Sequence, residues 1–274
     1  MWLASIIYPR IDPVALRLGP LSIKWYGIAY LLGFAVAYAV LRKLIRRGAI
    51  RITGDNFLDL FSWLVAGVMI GGRGGWWLFY HRHSGAMEPW YEPFAIWHGG
   101  MSFHGGLIGV AFALGVWSWL WNAPTWNLAD GIALVAPIGL FLGRIANFIN
   151  AELVGRPTRV TWGVIFPGEN FARHPSQLYE ALLEGPILML AVWCFARFSR
   201  RCEGQVAAVF LILYGVFRFA VEFTRQPDEQ LGYIALHWLT MGQLLSIGLV
   251  LFGCVLWPMA RHRLTQPANP ASES

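Results

Sequence analysis

The stretch LADGIALVAPIGLFLGRIAN, residues 128–147, decides which class of fold the chain can adopt. A helix needs about 20 predominantly apolar residues to cross a hydrocarbon core of roughly 30 Å, and this stretch meets that length. The run nevertheless ends in Arg144 and Asn147, and the polar signal continues through GRIANFINAELVG, residues 143–155. The sequence therefore predicts a membrane-spanning helix whose end carries polar groups that need an explanation.

The whole chain has the composition of a membrane protein. Of its 274 residues, 57% are hydrophobic and only 13% are charged, which excludes an ordinary water-soluble domain. The apolar runs are long and continuous rather than alternating, so they predict helices and not the strands of a barrel. We predict an all-α polytopic membrane protein with seven transmembrane helices. These spans are 22–41, 57–80, 103–121, 128–147, 178–196, 205–223 and 237–257.

Basic residues cluster beyond the ends of the first, fifth and seventh spans. Because short loops rich in lysine and arginine stay in the cytoplasm, this pattern predicts an outer N-terminus and a cytoplasmic C-terminus. The residues concerned are Arg42, Lys43, Arg46, Arg47, Arg51, Arg197, Arg200, Arg201, Arg261 and Arg263. This clustering explains much of the net charge of +6, so we expect no nucleic-acid partner. Affinity for anionic lipid headgroups stays open.

The chain reads as a single transmembrane domain, residues 1–258, followed by a cytoplasmic tail at 259–274 whose polar, proline-rich composition predicts disorder. The longest outer segment, 148–177, has proline and glycine on both sides of the β-prone VTWGVIF and predicts a small extracytoplasmic cap. No internal repeat is visible, so the inverted-repeat pattern of many transporters is missing. The cysteines predict neither a disulfide framework nor a metal site, and no cofactor is expected.

Charged groups inside the membrane are the main candidates for function. A charged side chain at mid-bilayer costs about 2.5–3.5 kcal/mol on insertion scales, so such residues are rare and mark functional sites by default. Arg144 and Asn147 are three residues apart and share a face of the fourth span. We predict that both lie towards the outer leaflet.

The sixth span carries a polar stripe within YGVFRFAVEFTRQPD, residues 214–228. Tyr214, Arg218, Glu222 and Arg225 recur at intervals of four, four and three residues and so share one helix face. An ion pair between Arg218 and Glu222 that only balances charge is the structural alternative. A binding role for the stripe stays open beside it.

Other polar residues gather at the predicted outer ends of the spans. His104 begins the third span among glycines, and Tyr26 lies at the outer end of the first span; alone, each would be an ordinary interfacial residue. Arg73 in GGRGG has a structural alternative, as a charge satisfied by nearby carbonyl groups. In RHPSQLYEA, which contains His174, Pro175 fits the first helical position, and the amides of such a helix N-terminus can hold an anion.

The collection predicts function more strongly than any single member. Arginines, a histidine, tyrosines and helix amides converge on the outer half of one bundle, and structural pairing accounts for only one of the arginines. A guanidinium group presents a planar fork that suits phosphate, and a histidine can take a proton near neutral pH. A lipid phosphate from the outer leaflet is the natural anion at this depth. The residues alone therefore predict an enzyme that acts on phospholipids.

The motifs resemble those of the prolipoprotein diacylglyceryl transferases. GRIANFINAELVG at 143–155 meets the family pattern G-R-x-[GA]-N-F-x-N-x-E-x-x-G at every fixed position. The resemblance continues in the family's order over nearly the whole chain. Its further motifs are KWYG (24–27), GGRGG (71–75), HGGMSFHGG (98–106), RHPSQLYEA (173–181), YGVFRFAVEFTRQPD (214–228) and LTMGQLLS (239–246).

This resemblance implies a bacterial inner-membrane enzyme whose active site faces the periplasm. Such an enzyme moves the diacylglyceryl group of phosphatidylglycerol onto the lipobox cysteine of a prolipoprotein signal peptide. A thioether forms and glycerol-1-phosphate leaves, in the first step of bacterial lipoprotein maturation. The implied partners are phosphatidylglycerol, the prolipoprotein and membrane lipids.

The resemblance also implies roles for individual residues. Phosphatidylglycerol would be bound by Tyr26, Arg144, Asn147, Asn150, Glu152, Gly155 and Arg218. Catalysis would use Arg144 and Arg218 to stabilise the leaving phosphate, and His104 either as general base or only to orient the headgroup. Supporting residues, for which a structural role is the alternative, are Arg73, His174, Tyr214 and Glu222. The nucleophile is the substrate's own thiol, so the enzyme needs no reactive cysteine and no metal.

Two other classes of function compete with the transferase. In a lipid transporter or flippase, intramembrane arginines would line a route across the membrane, whereas here the polar groups cluster towards one leaflet. In an intramembrane serine hydrolase, Ser102 and His104 would act together. That class has little support, because the chain has no G-x-S-x-G elbow and residues two apart do not face each other on a helix.

Overall fold

The computed structural model describes residues 6–19, 21–78, 91–94, 100–198, 202–227 and 232–262. Helices dominate this part of the chain. They are α1 (Trp25–Arg46), α2 (Gly54–Trp76), α3 (Phe103–Leu120), α4 (Thr125–Ile149), α5 (Ser176–Leu182), α6 (Leu188–Phe198), α7 (Gln205–Glu222) and α8 (Met241–His262). A π-helix, Leu183–Ile187, joins α5 to α6, and a short 3₁₀ helix covers Glu92–Phe94.

The number of predicted spans is confirmed. Seven helices in the described residues are long and apolar enough to cross a membrane, with α5, the π-helix and α6 forming one of them. The first span begins at Trp25 rather than at residue 22, because Leu21–Lys24 forms a strand. The seventh begins at Met241 rather than at residue 237, because the chain closes a tight turn just before it.

The fourth span is longer than the sequence predicts at both ends. α4 covers Thr125–Ile149, so Arg144 and Asn147 lie within the helix rather than at its end. An α-helix has 3.6 residues per turn, which places Arg144 more than one turn before Ile149, the last residue of α4. Arg144 and Asn147 therefore belong to the wall of a span.

Two small sheets accompany the helices. β1 (Ile6–Ile7) pairs in parallel with β4 (Val164–Ile165), which lies in the segment 148–177 predicted as a cap. β2 (Val14–Leu18) and β3 (Leu21–Lys24) form an antiparallel hairpin that leads directly into α1. The β-prone VTWGVIF thus forms a strand of only two residues, and its partner β1 lies near the N-terminus.

Tyr8, just after β1, contacts the end of α4. Its ring packs against those of Phe148 and Phe166, with centroids 5.4 and 5.5 Å away. Its hydroxyl lies 2.9 Å from the carbonyl oxygen of Phe148 and 2.7 Å from that of Ile149, and a helix end leaves such carbonyls without a partner. Burial raises the pKa of the Tyr8 hydroxyl, which keeps it protonated and able to donate. The contact fixes the end of the helix that carries Arg144.

The chain divides into two compact units. One comprises Met1–Ala37 and Ile132–Ser274, and the other comprises Tyr38–Gly131. Residues of α1 and of α4 belong to both units. The single domain and the tail from residue 259 stay predictions: α8 extends to His262, and the rest of that tail lies outside the described residues.

In the second unit, α2 and α3 pack with very little space between their backbones. A Cβ added at Gly67 would lie 2.6 Å from the carbonyl oxygen of Gly109, and one at Gly75 would lie 2.8 Å from the Cα of Gly105. Gly71, midway along this row of α2, faces the same two glycines of α3. Small residues at intervals of four let membrane helices approach closely and associate through dispersion contacts.

Candidate active site

Arg144, the basic residue of the signature stretch, is held by two carboxylates of the fifth span. Its Nη1 lies 2.9 Å from Oε2 of Glu180, and its Nε donates to Oε2 of Glu184 over 3.1 Å. The two glutamate side chains are 1% and 0% exposed, and 13% of the arginine side chain remains exposed. α4 and the fifth span therefore meet through charged groups inside segments that cross the membrane.

The polar stripe of α7 faces the same carboxylate. Nη2 of Arg218 lies 2.7 Å from Oε2 of Glu222, one turn further along α7. Nη1 of Arg218 lies 3.6 Å from Oε2 of Glu180, and Nη1 of Arg225 lies 3.9 Å from that oxygen. With Arg144, three guanidinium groups therefore surround one oxygen of Glu180.

These side chains form a buried group within the first unit, which we call the arginine–glutamate cluster. Its members are Arg144, Glu180, Glu184, Arg218, Glu222 and Arg225. Their formal charges, three positive and three negative, cancel. An unpaired charge in a low-dielectric interior costs several kcal/mol, so mutual pairing lets all of these groups remain buried. Four residues named from the sequence, Arg144, Arg218, Glu222 and Arg225, are brought together here.

Two arginine nitrogens of the cluster, which we call uncommitted, make no hydrogen bond with the described residues. Nη2 of Arg144 makes no hydrogen bond or ion pair with them. Nη1 of Arg218 is buried without a hydrogen bond, and the carboxylate oxygen of Glu180 lies 3.6 Å away. Guanidinium donors in such a position can bind an anion through charge-assisted hydrogen bonds. The cluster is therefore able to accept a phosphate or carboxylate group.

Glu222 is in turn held at the N-terminus of α8. Thr240 donates through Oγ1 to Oε1 of Glu222 over 2.9 Å. Thr240 and Gln243 also exchange hydrogen bonds of 3.0 and 3.3 Å between side chain and backbone, which caps α8. A Cβ added at Gly242 would lie 2.7 Å from Oε1 of Glu222, so glycine gives the carboxylate room. The motif LTMGQLLS thus orients the carboxylate that pairs with Arg218.

Two tyrosines named from the sequence occupy the first unit as well. Tyr214, on the α7 stripe, is fully buried and stacks on Phe210 with ring centroids 5.9 Å apart. Tyr26, the second residue of α1, has its hydroxyl 3.4 Å from that of Tyr30. The Tyr26 hydroxyl is near enough to Arg144 to interact with it electrostatically. Both tyrosines therefore line the region around the cluster.

The signature stretch ends in a turn that fixes three more of the named residues. Asn147 is 7% exposed, and its carbonyl oxygen accepts the N–H of Glu152 over 2.9 Å. Nδ2 of Asn150 donates to Oε1 of Glu152 over 3.2 Å, and Nε2 of Gln177 donates to the Glu152 carbonyl over 2.6 Å. Ala151 has a φ of 53°, unusual for a residue with a side chain. The turn is thus tied to the fifth span.

Gly155 lies where three segments meet. Its N–H donates to the carbonyl oxygen of His174 over 3.0 Å, and it pairs with Arg225 in an isolated antiparallel bridge. A Cβ added here would lie 2.7 Å from the carbonyl oxygen of Thr224, so the site has no space for a larger residue. The glycine therefore allows the backbone contact that holds Arg225 in the cluster.

His174 belongs to a hydrogen-bonded group at the start of the fifth span. Its Nδ1 lies 3.3 Å from the hydroxyl of Tyr179, which accepts the indole N–H of Trp162 over 2.7 Å. Burial lowers the pKa of His174, which favours the neutral imidazole. The sequence interpretation of Pro175 was wrong: α5 begins at Ser176, so the proline precedes the helix as its N-cap and does not occupy the first helical position.

His104 and Ser102 lie in the second unit, at the start of α3. Oγ of Ser102 accepts the N–H of Gly105 over 3.3 Å and so caps the helix. The serine side chain is 7% exposed. A hydroxyl that serves a helix end gives no support to the serine-hydrolase interpretation, and the role of His104 as base stays a prediction.

Arg73, also in the second unit, is 3% exposed and has several partners. Its Nη2 lies 2.8 Å from Oε1 of Glu92 and 2.5 Å from the carbonyl oxygen of the same residue. Its Nη1 donates to the carbonyl oxygen of Gly100 over 3.3 Å, and the guanidinium lies 4.4 Å from the ring centroid of Trp76. These contacts agree with the structural alternative, and a direct role in the site stays a prediction.

Sequence reasoning missed Glu180 and Glu184. A signal was present, because the two carboxylates stand four residues apart in QLYEALLEGP, within an apolar span where ionisable residues are functional candidates by default. Gly185 and Pro186, directly after them, are a second signal, since both residues disturb a helix.

The chain is similar to known proteins over nearly its whole length. The family model of the prolipoprotein diacylglyceryl transferases matches residues 13–259. A protein of Solidesulfovibrio magneticus named phosphatidylglycerol–prolipoprotein diacylglyceryl transferase is 48% identical over 270 residues, which cover 96% of this chain and 99% of that protein. Proteins of the same name are 48% identical over 259 residues in Nitratidesulfovibrio vulgaris strain Miyazaki F (94% and 96% covered) and 47% identical over 272 residues in Pseudomonas putida strain KT2440 (95% and 99% covered).

Proposed function

The chain belongs to the prolipoprotein diacylglyceryl transferase family, and we propose that it transfers the diacylglyceryl group of phosphatidylglycerol to prolipoproteins. It is a multi-pass membrane enzyme. The main support from the site is the arginine–glutamate cluster, whose two uncommitted guanidinium nitrogens suit a lipid phosphate. Membership of the family does not favour the alternative of a lipid transporter.

The reaction replaces a phosphate ester by a thioether. The sulfur of the lipobox cysteine attacks the glycerol carbon that carries the phosphate, so that a C–S bond forms and the C–O bond breaks. Glycerol-1-phosphate leaves with the electron pair of that bond, and the thiol proton passes to a base. Because the thiolate is the reactive form and belongs to the substrate, none of the enzyme's own cysteines is required.

Arg144 and Arg218 bind the phosphate and stabilise the charge that develops on it. As the C–O bond breaks, negative charge grows on the phosphate oxygens, and guanidinium groups already fixed in a dry site lower the barrier most effectively. Nη2 of Arg144 and Nη1 of Arg218 are the available donors. The surrounding glutamates hold both side chains before the lipid binds, which reduces the entropy lost on binding.

The remaining family residues form the site for the glycerol headgroup. Asn147, Asn150 and Glu152 carry amide and carboxylate groups that can bond to glycerol hydroxyls. Tyr26 adds a hydroxyl close to Arg144. Gly155 contributes through close packing of the backbone and not through a contact with the lipid.

His104 is the base that accepts the thiol proton. This role rests on the family motif HGGMSFHGG and on the chemistry of imidazole, whose ordinary pKa near 6.5 suits proton transfer at neutral pH. The competing role, in which His104 only orients the headgroup, differs from this one in the pH dependence that it predicts. If His104 is the base, the acidic limb of the pH profile of kcat/KM disappears in His104→Gln.

The enzyme lies in the bacterial inner membrane with its N-terminus and active site on the periplasmic side. The basic residues after the first, fifth and seventh spans support this orientation. The cap segment 148–177 then faces the periplasm, and the lipobox of the signal peptide enters from the membrane. The C-terminus is cytoplasmic.

A mass-spectrometric transfer assay tests the function directly. Purified protein is reconstituted into vesicles containing phosphatidylglycerol and incubated with a lipobox peptide, and Arg144→Ala is treated in the same way. We expect the mass of one diacylglyceryl group to be added to the peptide cysteine by the wild type and not by the variant. Vesicles with phosphatidylethanolamine as sole phospholipid are the donor control. Movement of labelled lipid across the bilayer without any thioether would overturn the proposal.

A further inference from the structure

Two buried carboxylates stand on adjacent turns of the fifth span. Glu180 and Glu184 are four residues apart, so their side chains share one face of the helix. Like charges at this spacing repel each other, and burial adds a cost of several kcal/mol for each. Arg144 compensates both, because its Nη1 lies 2.9 Å from the first and its Nε donates to the second over 3.1 Å. Beyond the general holding of the arginine side chains, the second contact has no role of its own in the proposed reaction.

The backbone around Glu184 departs from regular helix. Leu183–Ile187 forms a π-helix, and Gly185 has φ −96° and ψ −107°, outside the helical region. Pro186 cannot donate a backbone hydrogen bond, which favours such a departure. A Cβ added at Gly185 would lie 2.7 Å from Cβ of Phe141, so the bulge brings the fifth span against α4 with no space to spare. Single-turn π-bulges in helices are frequent at functional sites.

The consequence for Arg144 concerns the orientation of its guanidinium plane. One edge of the group is fixed at Nε and Nη1 by the two glutamates. The remaining nitrogen, Nη2, has no partner among the described residues, and 13% of the side chain is exposed. Two acceptors at neighbouring nitrogens determine both the position and the rotation of a planar group, whereas one acceptor leaves it free to turn.

We propose that Glu184 is a positioning residue for the transferase reaction, which orients Arg144 so that its Nη2 faces the phosphate of the lipid. This inference rests on the proposed function. Glu184 does not contact the lipid; it acts through the guanidinium group. Without it, Arg144 keeps its charge and its contact with Glu180, but the donor that meets the phosphate is no longer held in place. The charge that develops in the transition state is then stabilised less well.

Three substitutions separate orientation from charge. Glu184→Gln keeps an oxygen that can accept from Nε and removes the negative charge. Glu184→Asp keeps the charge and shortens the side chain, and Glu184→Ala removes both. If the contact orients Arg144, we expect kcat within about threefold of wild type for Gln and a loss of about 10- to 100-fold for Ala, as removal of a charge-assisted hydrogen bond predicts. We expect Asp to lie between them.

The measurement is the steady-state rate of diacylglyceryl transfer at varied phosphatidylglycerol, per mole of folded protein. Orientation in the transition state predicts that kcat falls more than KM rises in Glu184→Ala. Leu188→Ala is the matched control, because Leu188 is fully buried one turn further along the same span and has no place in the ion network. It should lower the midpoint of thermal unfolding and leave kcat and KM of the folded enzyme unchanged.

The outcomes distinguish this inference from the proposed function. A wild type that transfers no diacylglyceryl group contradicts the function itself. An active wild type with an equally active Glu184→Ala overturns only the role of Glu184. Equal losses in Gln and Ala would show that charge, not orientation, matters and would also overturn it. If Glu184→Ala does not fold, Glu184→Gln and Glu184→Asp still test the inference. A role in orientation predicts that Glu184→Gln is more active than Glu184→Asp, and a role of the charge alone predicts the reverse.

Discussion

Arg144 and Arg73 are both arginines in membrane-spanning helices with a carboxylate partner, yet their surroundings differ in what they leave available. Arg73 meets Glu92, two backbone carbonyls and an aromatic face. Arg144 meets two carboxylates through Nε and Nη1, while its Nη2 makes no hydrogen bond or ion pair with the described residues. The first side chain is 3% exposed and the second 13%. Arg73 thus uses both of its Nη nitrogens in polar contacts, whereas one Nη nitrogen of Arg144 makes no hydrogen bond with the described residues.

This difference gives a criterion that separates a buried charge with a structural role from a buried charge that binds a ligand. A buried ion pair is weak evidence for function, because charged groups inside a protein need partners in any case. A buried cation with an uncommitted donor is stronger evidence, since such donors are rare unless a ligand uses them. By this criterion we propose that Arg144 and Arg218 bind the substrate and that Arg73 supports the fold of its own unit.

The largest expected effect is the loss of activity in Arg144→Lys. Lysine keeps the positive charge but has no planar fork, so it cannot contact both glutamates and the phosphate at once. We expect kcat/KM for phosphatidylglycerol to fall about 10²- to 10³-fold, the size found when one transition-state donor is removed. Arg73→Lys is the matched control and should remain within about threefold of wild type per mole of folded protein. Equal losses in both variants would contradict the distinction.

The largest effect on stability, rather than on activity, is expected for Arg73→Met. Glu92 would be left buried without its cation, and breaking a buried pair in this way costs about 3–5 kcal/mol. The midpoint of thermal unfolding in detergent should fall clearly, whereas kcat/KM of the folded fraction should change little. Adding Glu92→Gln should recover part of the loss, because it removes the unpaired charge. A loss of kcat/KM without loss of stability would move Arg73 into the active site.

The third prediction concerns the packing of α2 on α3, which uses no charged groups. Gly67→Ala places a methyl carbon 2.6 Å from the carbonyl oxygen of Gly109, closer than contact permits. We expect a loss of about 1–3 kcal/mol in stability, the usual cost of overpacking. Gly115→Ala is the matched control, because no atom lies within 4 Å of a Cβ added there. Thermal unfolding of the two variants checks the prediction, and equal stabilities would show that the helices separate readily.

The sequence predicts features that depend on neighbouring residues better than features that depend on residues far apart in the chain. The seven spans follow from local hydropathy, and Arg144, Arg218 and Glu222 follow from charges at helical spacing within them. The β1–β4 pairing could not be predicted from the sequence, since it joins residues more than 150 positions apart and neither strand exceeds two residues. The start of α1 was misplaced because the apolar hairpin before it continues the same hydropathy signal.

The site shows the same limit. Glu184 carried a signal in its position within an apolar span, but its partner, Arg144, is 40 residues earlier and on another helix. Sequence spacing shows which residues share a face and not which faces meet. Nor does it reveal which nitrogen of an arginine remains uncommitted. The family motifs indicate the residues, while the contacts support the proposal that Arg144 and Arg218 bind the anion and that the glutamates hold these two side chains.

The fourth prediction tests whether the N-terminus of α8 holds the cluster in place. Thr240→Val removes the hydroxyl that donates to Glu222 over 2.9 Å, at nearly constant side-chain volume. A hydrogen bond of this kind contributes about 1.5–3 kcal/mol where the acceptor is charged, although helix capping by Gln243 remains in part. We expect a fall of several-fold in kcat/KM and a small loss of stability. Thr240→Ser keeps the hydroxyl and should behave as wild type; if Val does so too, Glu222 needs no support from α8.

The smallest effect is expected at His174, which lies among Trp162 and Tyr179 and carries none of the cluster's charges. Burial lowers the pKa of His174 in the folded protein, so below an ordinary pKa of about 6.5 the unfolded chain binds the proton more readily. Its contribution to stability is therefore complete above that pH and decreases as the pH falls. The midpoint of unfolding should fall slightly more in wild type than in His174→Gln between pH 8 and pH 5.

KM for phosphatidylglycerol at pH 8 should be the same in wild type and in His174→Gln, because the phosphate site uses the uncommitted arginine donors. A raised KM in the variant would instead place His174 in contact with the lipid.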